Sequence, residues 1–332
     1  MTTDEAPQSE SDRTHGGAPT GWRIVFFGTP DFAVPSLRAL VQARERVVGV
    51  VTQPDKPAGR GQKPTPPPVK LVAQELQLPV LQPSKVGDNP ELFAALRAWR
   101  PDVIVVAAYG KILPREILEI PPHGCINVHA SLLPKYRGAA PIQWALLNGE
   151  QVTGITIMLM SEEMDAGPVL LQRSVFIEPE ETCGELQARL AREGAECLVE
   201  ALRAWHAGRL TPQPQDSSQV TFAPALRKEQ ALIDWNQSAD AISRLVRAFA
   251  PNPGAFFLWQ GKRVKVYRAR ALEDAGSEGT LPGTVLEVEP RLVVACRVGA
   301  LELIEVQLEG RRKSAGSAFA RGVRWRPGDR LV

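Results

Sequence analysis

This chain lacks several features that would give away its class. No apolar run approaches the ~20 residues that a membrane-spanning helix needs. The first 21 residues, MTTDEAPQSESDRTHGGAPTG, have no apolar core, which removes a secretory signal. They set Asp4, Glu5, Glu10 and Asp12 against a lone Arg13, the opposite of an acid-poor, Arg-rich transit peptide. Residues 1–22 therefore read as a disordered polar tail. Cysteine is scarce: Cys125, Cys183, Cys197 and Cys296 lie far apart with no CxxC pair. That spacing argues against a disulfide frame or a zinc site and fits reduced thiols in a cytoplasmic protein. Histidine is equally scarce, with four residues. His15 falls in the tail, His123 follows two prolines and His206 ends a helical stretch, so His129 alone lies on a strand-like run.

What is present is enough for a sizeable core: 332 residues, 44% of them hydrophobic and 23% charged, consistent with about two domains. RIVFF (23–27) reads as a short buried strand closed by Gly28-Thr29-Pro30, with Asp31 placed to cap the following helix. Val47–Thr52 is a second strand. The stretch QPDKPAGRGQKPTPPPVK after it is too rich in Pro and Gly for regular structure. Helical patterns at 69–77 and 89–99 alternate with apolar runs at 79–82 and 102–108. Cys125–His129, 153–160 and 169–177 read as further strands, and 184–207 as a long amphipathic helix. Residues 238–249 read as another helix, and short runs at 263–267, 283–288, 292–298 and 301–308 as strands parted by Gly and Pro. This order predicts an α/β fold. A Rossmann-like, doubly wound, mainly parallel sheet covers 23–207, a linker 208–225, and a small OB-like β-barrel 226–332. A dinucleotide site does not follow, because GTPDFA has one glycine where that fingerprint uses three.

The stretch Gly124–Pro141, GCINVHASLLPKYRGAAP, carries the chemistry. Residues two apart on a strand face the same way, so Asn127 and His129 project together at the end of a parallel strand. The later segment SEEMDAGPVL puts Asp165 in a loop able to return over that edge. These three suit acyl transfer to an amine. Asn127 can donate to a developing oxyanion, His129 can move a proton or stabilise that oxyanion, and Asp165 can orient the imidazole. Spacing alone does not separate this from Asn127 and His129 merely satisfying backbone groups at a strand end.

INVHASLLPKYRGAAPI, followed some thirty residues later by MDAGPVL, resembles the folate-dependent formyltransferases. FFGTPDFAVPSL, TQPDKPAGRGQK, VVAAYGKILP and IDWNQSADAISRLVRAFAPNPGAFF extend the resemblance from about Arg23 to Val332. It implies Asn127, His129 and Asp165 as the catalytic residues, with Ser131, Leu132, Leu133 and Pro134 holding the folate. It further implies 10-formyltetrahydrofolate as co-substrate, no metal, and initiator methionyl-tRNA as the acceptor. Beside the resemblance, two leucines are suited to form an apolar wall for a flat pterin, with Pro134 setting the turn.

The charge balance agrees with a polyanionic acceptor. The net charge is +2, but residues 226–332 hold 18 Lys/Arg against 12 Asp/Glu. That basic third offers Lys262, Arg263, Lys265, Arg268 and Arg270 as one cluster and Arg311, Arg312 and Lys313 as another. The 53–70 insertion adds Lys56, Arg60, Lys63 and Lys70 against Asp55. The resemblance assigns this insertion to the acceptor end of the tRNA, with Arg60 foremost. Charge alone fits solvated basic surfaces equally well. Two rivals remain at this point: a formyltransferase acting on an aminosugar nucleotide or glycinamide ribonucleotide, and a non-catalytic RNA-binding protein.

Overall fold

A computed structural model describes residues 18–58, 63–272 and 279–331. The first region runs β1 (Arg23–Gly28), α1 (Val34–Gln42), β2 (Arg46–Val51), β3 (Lys56–Ala58), β4 (Lys63–Thr65), α2 (Pro68–Glu75), β5 (Val80–Leu81) and α3 (Pro90–Trp99). It continues with β6 (Val103–Ala107), α4 (Arg115–Leu118), β7 (Cys125–His129), α5 (Pro141–Leu147), β8 (Val152–Leu159), β9 (Val169–Phe176) and α6 (Cys183–His206). Its seven strands lie in the order β5-β2-β1-β6-β7-β8-β9. Pairing is parallel from β5 to β7 and antiparallel from β7 to β9.

The strands dictate this layering. In β1, Ile24 and Phe26 enter one core and Val25 and Phe27 another, all fully buried. A strand apolar on both faces needs cover on both. Leu37 and Leu40 of α1, Val72 of α2 and Leu190 of α6 close the first core, and Leu92 and Leu96 of α3 with Ile117 of α4 the second. Helix α6 is fixed at its start by a capping box: Glu185 N–H donates to Thr182 Oγ1 (3.4 Å), and Thr182 N–H to the Glu185 carboxylate (2.9 Å).

The second region comprises α7 (Ala239–Phe249), β10 (Ala255–Trp259), β11 (Lys262–Leu272), β12 (Val285–Glu287), β13 (Leu292–Ala295), β14 (Ala300–Leu308), β15 (Ser314–Ala315) and α8 (Gly316–Val323). The strands form a curled antiparallel sheet in the order β10-β11-β14-β13-β12, with β15 on β14. The fold is thus the expected Rossmann-like sheet followed by an OB-like half-barrel. Among the elements that go beyond the sequence pattern are β10 and α8. β10 is joined to β11 by Gln260 and Gly261, both at positive φ as a tight hairpin turn requires. α8 anchors itself through Phe319, whose ring meets Trp325 at 5.1 Å and Trp259 at 6.3 Å.

Local readings need correcting. The insertion is not without regular structure, because β3 and β4 pair as a ribbon in which Pro57 opposes Pro64. Alternate pairs in an antiparallel ladder exchange no hydrogen bonds, so prolines facing each other there forfeit nothing. Arg60 lies outside the described residues. Asp31 does not cap α1; it opens a 3-10 turn, Asp31–Ala33, and the helix starts at Val34 with no side-chain cap. Pro35 in its first turn has no N–H for a cap to serve. The expected tail ends early as well. Thr20 is buried and donates through N and Oγ1 to Glu45 (3.0 and 2.6 Å), and Trp22 stacks on His123 at 4.3 Å. Residues 1–17 lie outside the described residues.

The two regions meet closely. Helix α7 packs on α5 and on β11, Arg268 pairs with Glu185, and Arg270 pairs with Glu180 at 2.8 Å. The segment between the regions is not a free tether. Val169 and Gln213 exchange backbone hydrogen bonds (2.8 Å each way), Arg137 N–H donates to Thr221 O (2.9 Å), and Ala223 N–H donates to Arg137 O (2.7 Å).

Candidate active site

The sheet reverses its winding between β1 and β6, and open α/β sheets gather ligands outside the carboxyl ends of strands at such a point. A cavity of about 660 Å³ lies there. Phe32, Val106, Tyr109, Leu113 and Met158 form much of its apolar lining, and Asn127, His129 and Asp165 reach it together. The alternation of β7 explains two of these. Ile126 and Val128 point into the core below α6, which turns Asn127 and His129 the other way.

His129 is held at Nε2 by a backbone carbonyl. Nε2 lies 3.0 Å from the Tyr136 carbonyl oxygen. A carbonyl only accepts, so Nε2 is the protonated nitrogen, and Nδ1 faces Asp165 Oδ2 at 3.6 Å. Asp165 Oδ2 also accepts the Gly138 N–H at 2.8 Å, while Asn127 Nδ2 approaches Oδ1 at 3.5 Å. His129 is 6% exposed, so its proton exchanges are confined to these neighbours and to whatever fills the cavity. The backbone here is strained: Ala108, Tyr136 and Asp165 all take positive φ without being glycine. Gly167 is obligatory beside them, because a Cβ there would lie 1.8 Å from the Leu159 carbonyl oxygen.

The segment Ser131–Pro134 sits elsewhere. Leu132 and Leu133, expected to wall the cavity, do not line it. Ser131 Oγ donates to Lys135 O (2.6 Å), Leu133 N–H donates to Thr156 Oγ1 (3.1 Å), and Leu133 O accepts from Gln172 (2.8 Å). These bonds draw the loop down onto β8 and β9, and its effect on the site is to present the Tyr136 carbonyl to His129. Cys125 shares a face with Asn127 but is buried, and burial pushes its thiol up to about 12, so no thiolate is available there. Among the described residues no three His, Cys, Asp or Glu side chains gather as metal ligands.

Of the basic candidates, Lys56 and Lys63 are exposed on the β3–β4 ribbon, with Lys56 Nζ donating to Gln53 (2.7 Å). Alternation along β11 puts Arg263 and Lys265 on one face and Lys262 on the other. Lys265, Arg227 and Lys228 line a second groove between the regions, which shares Ala139 and Gln143 with the cavity.

Residues 22–202 match the family model for formyl transferase, and 225–324 match that for the formyl transferase C-terminal domain. The chain belongs to the formyl transferase family. This formyl transferase is 49% identical over 312 residues to the methionyl-tRNA formyltransferase of Geobacter metallireducens, covering 94% of this chain and 99% of that one. It is 50% identical over 291 residues to the methionyl-tRNA formyltransferase of Caldanaerobacter subterraneus subsp. tengcongensis, covering 88% and 94%. Among solved structures, HypX from Aquifex aeolicus in complex with tetrahydrofolic acid has the same fold (TM-score 0.61, 21% identity, 94% of this chain and 51% of that one). In this formyl transferase, sequence reasoning passed over Tyr109, which lines the cavity, and over Arg137 and Gln215, whose side chains hydrogen-bond to each other (3.1 and 2.8 Å) beside the Asp165 loop. Arg137 stood inside a quoted motif, but no local pattern marks Gln215, which lies in a polar, proline-containing stretch.

Proposed function

We propose that this chain transfers the formyl group of 10-formyltetrahydrofolate to the α-amine of initiator methionyl-tRNA, in the cytoplasm, giving N-formylmethionyl-tRNA for translation initiation. The observation that carries this reading is near-full-length identity, 49% over 94% of the chain, to a methionyl-tRNA formyltransferase. The cavity fits the donor: broad apolar walls from Phe32, Val106, Leu113 and Met158 suit a flat pterin.

In this reading the unprotonated amine attacks the formyl carbon, a new C–N bond forms, and the bond from that carbon to N10 of the folate breaks. Asn127 Nδ2 donates to the oxygen on which negative charge develops. His129, oriented by the Tyr136 carbonyl, receives or returns a proton at Nδ1, and Asp165 assists its removal from the attacking nitrogen. The proton finally resides on N10 of the departing folate. The loop of Ser131, Leu132, Leu133 and Pro134, which the family resemblance assigns to binding the folate, borders the donor site directly after the cavity-lining Ala130. Residues 23–207 form the catalytic domain, 208–225 the connection and 226–332 the tRNA-binding domain. Lys56, Arg60 and Lys63 meet the acceptor end, and Lys262, Arg263 and Lys265 meet phosphates further along.

The test is incubation with labelled formyl donor and charged initiator tRNA, followed by mass analysis of the released amino acid. Formyl-methionine is the expected product. Label appearing on an aminosugar nucleotide or glycinamide ribonucleotide instead would overturn the acceptor, and no transfer to any amine would overturn the activity.

A further inference from the structure

The connecting segment reaches the Asp165 loop through the Gln215 side chain. Gln215 donates from Nε2 to two backbone carbonyls of the Asp165 loop, Asp165 O and Gly167 O, both at 2.8 Å. Its Oε1 accepts from Arg137 Nε and the Arg137 terminal nitrogen (3.1 and 2.8 Å). All the hydrogen-bonding directions of the amide that matter for orientation are thereby engaged. Arg137 is itself buried, with a side chain 8% exposed, and extends to Glu163 in the same loop at 3.3 Å. Its chain neighbours are the two residues that hold the catalytic groups: the Tyr136 carbonyl holds His129, and the Gly138 N–H holds Asp165.

Asp165 needs such support. Its φ is 52°, a left-handed conformation that costs an L residue energy and persists only where surroundings impose it. From this geometry we infer that Gln215 is a positioning residue of the formyl-transfer reaction. It clamps the Asp165 loop against the Arg137 loop, setting the carboxylate's distance to His129 and Asn127 without touching either substrate. The inference rests on the proposed formyltransferase reading.

The informative variant is Gln215→Glu. It keeps the size of the side chain and its partnership with Arg137 but removes both donors to the loop, and it sets a carboxylate against two carbonyls. Gln215→Ala removes everything. Both variants should lower kcat by about 10- to 100-fold, the loss expected from misplacing a reacting group by around 1 Å, with KM for both substrates little changed. Gln215→Glu should keep the wild-type Tm if size and the pairing with Arg137 are what the fold needs.

A second measurement needs no substrate: NMR titration of the His129 ring, together with the Gly138 amide shift, in the free full-length protein. Both signals should move in the two variants. Wild-type kcat with unmoved His129 and Gly138 signals would overturn the clamp, as would a loss seen only in KM. Should the wild type fail to formylate methionyl-tRNA, the functional reading falls, and the NMR comparison still decides whether Gln215 sets the geometry.

Discussion

The two regions handle charge and polarity in opposite ways. Around the carboxyl ends of β6 and β7 a handful of polar groups is buried or half-buried, and each is tied to a named partner: His129 to Tyr136 O, Asp165 to Gly138 N–H, Gln215 to two carbonyls. In the half-barrel the charges are many, exposed and unequal in duty. Arg268 and Arg270 pair with Glu185 and Glu180 across the boundary between the regions, and Lys313 pairs with Glu305 over the ring of Tyr267. Among the described residues, Arg263 and Lys265 have no such acidic partner across the boundary. A buried group acts through its position, and an exposed cation through its field, so the same kind of substitution should fail differently in each place.

The largest effects belong to the buried site. His129→Ala and Asp165→Asn should each reduce turnover by ~10²- to 10⁴-fold, the usual contribution of a positioned acid–base group, while leaving the fold intact. Steady-state kinetics with matched circular dichroism checks both halves. Near-normal turnover in either variant would remove the role assigned to it. In the half-barrel, Arg263→Ala with Lys265→Ala should instead weaken tRNA binding and leave the chemical step alone. The slope of log affinity against log salt should flatten by about 1 for each phosphate that is no longer neutralised. Folate affinity should be insensitive to salt throughout, and a tRNA affinity independent of salt in the wild type would contradict an RNA surface here.

The contrast also governs what the sequence discloses. Strand periodicity is local, so β7 and the shared face of Asn127 and His129 could be read from five residues. The partners of those residues could not be. Tyr136 O and Gly138 N–H are backbone groups that any residue carries, and Gln215 meets Asp165 only because fifty residues of chain return to the same edge. The leucines of the 131–134 loop were legible as an apolar wall for a flat pterin, but the groups that anchor the loop were not. Those are Thr156 on β8 and Gln172 on β9. Basic residues on β11 were equally visible, but Glu180 and Glu185, which neutralise two of them, come from the other region.

The smallest effect should come from those neutralised arginines. Replacing Arg268 and Arg270 by alanine removes as much formal charge as replacing Arg263 and Lys265, so a purely electrostatic footprint would weaken tRNA binding equally. If both arginines serve the boundary between the regions, the salt slope should barely change. Tm should move little as well, because exposed ion pairs contribute little net stability. A pH scan adds a finer test at Glu185. Hydrogen bonds from Thr182, then the Arg268 guanidinium, hold its carboxyl below the ordinary range. A carboxyl lowered in the folded state contributes stability above its unfolded pKa, and that contribution is lost as pH falls through the folded value. Thr182→Ala should therefore flatten the acid limb of the stability curve more than Arg268→Ala does, since Thr182 is the larger cause. The reverse order, or a salt slope that falls in the Arg268/Arg270 variant as far as in the Arg263/Lys265 variant, would show that these arginines face RNA and that the division of labour along β11 is wrong.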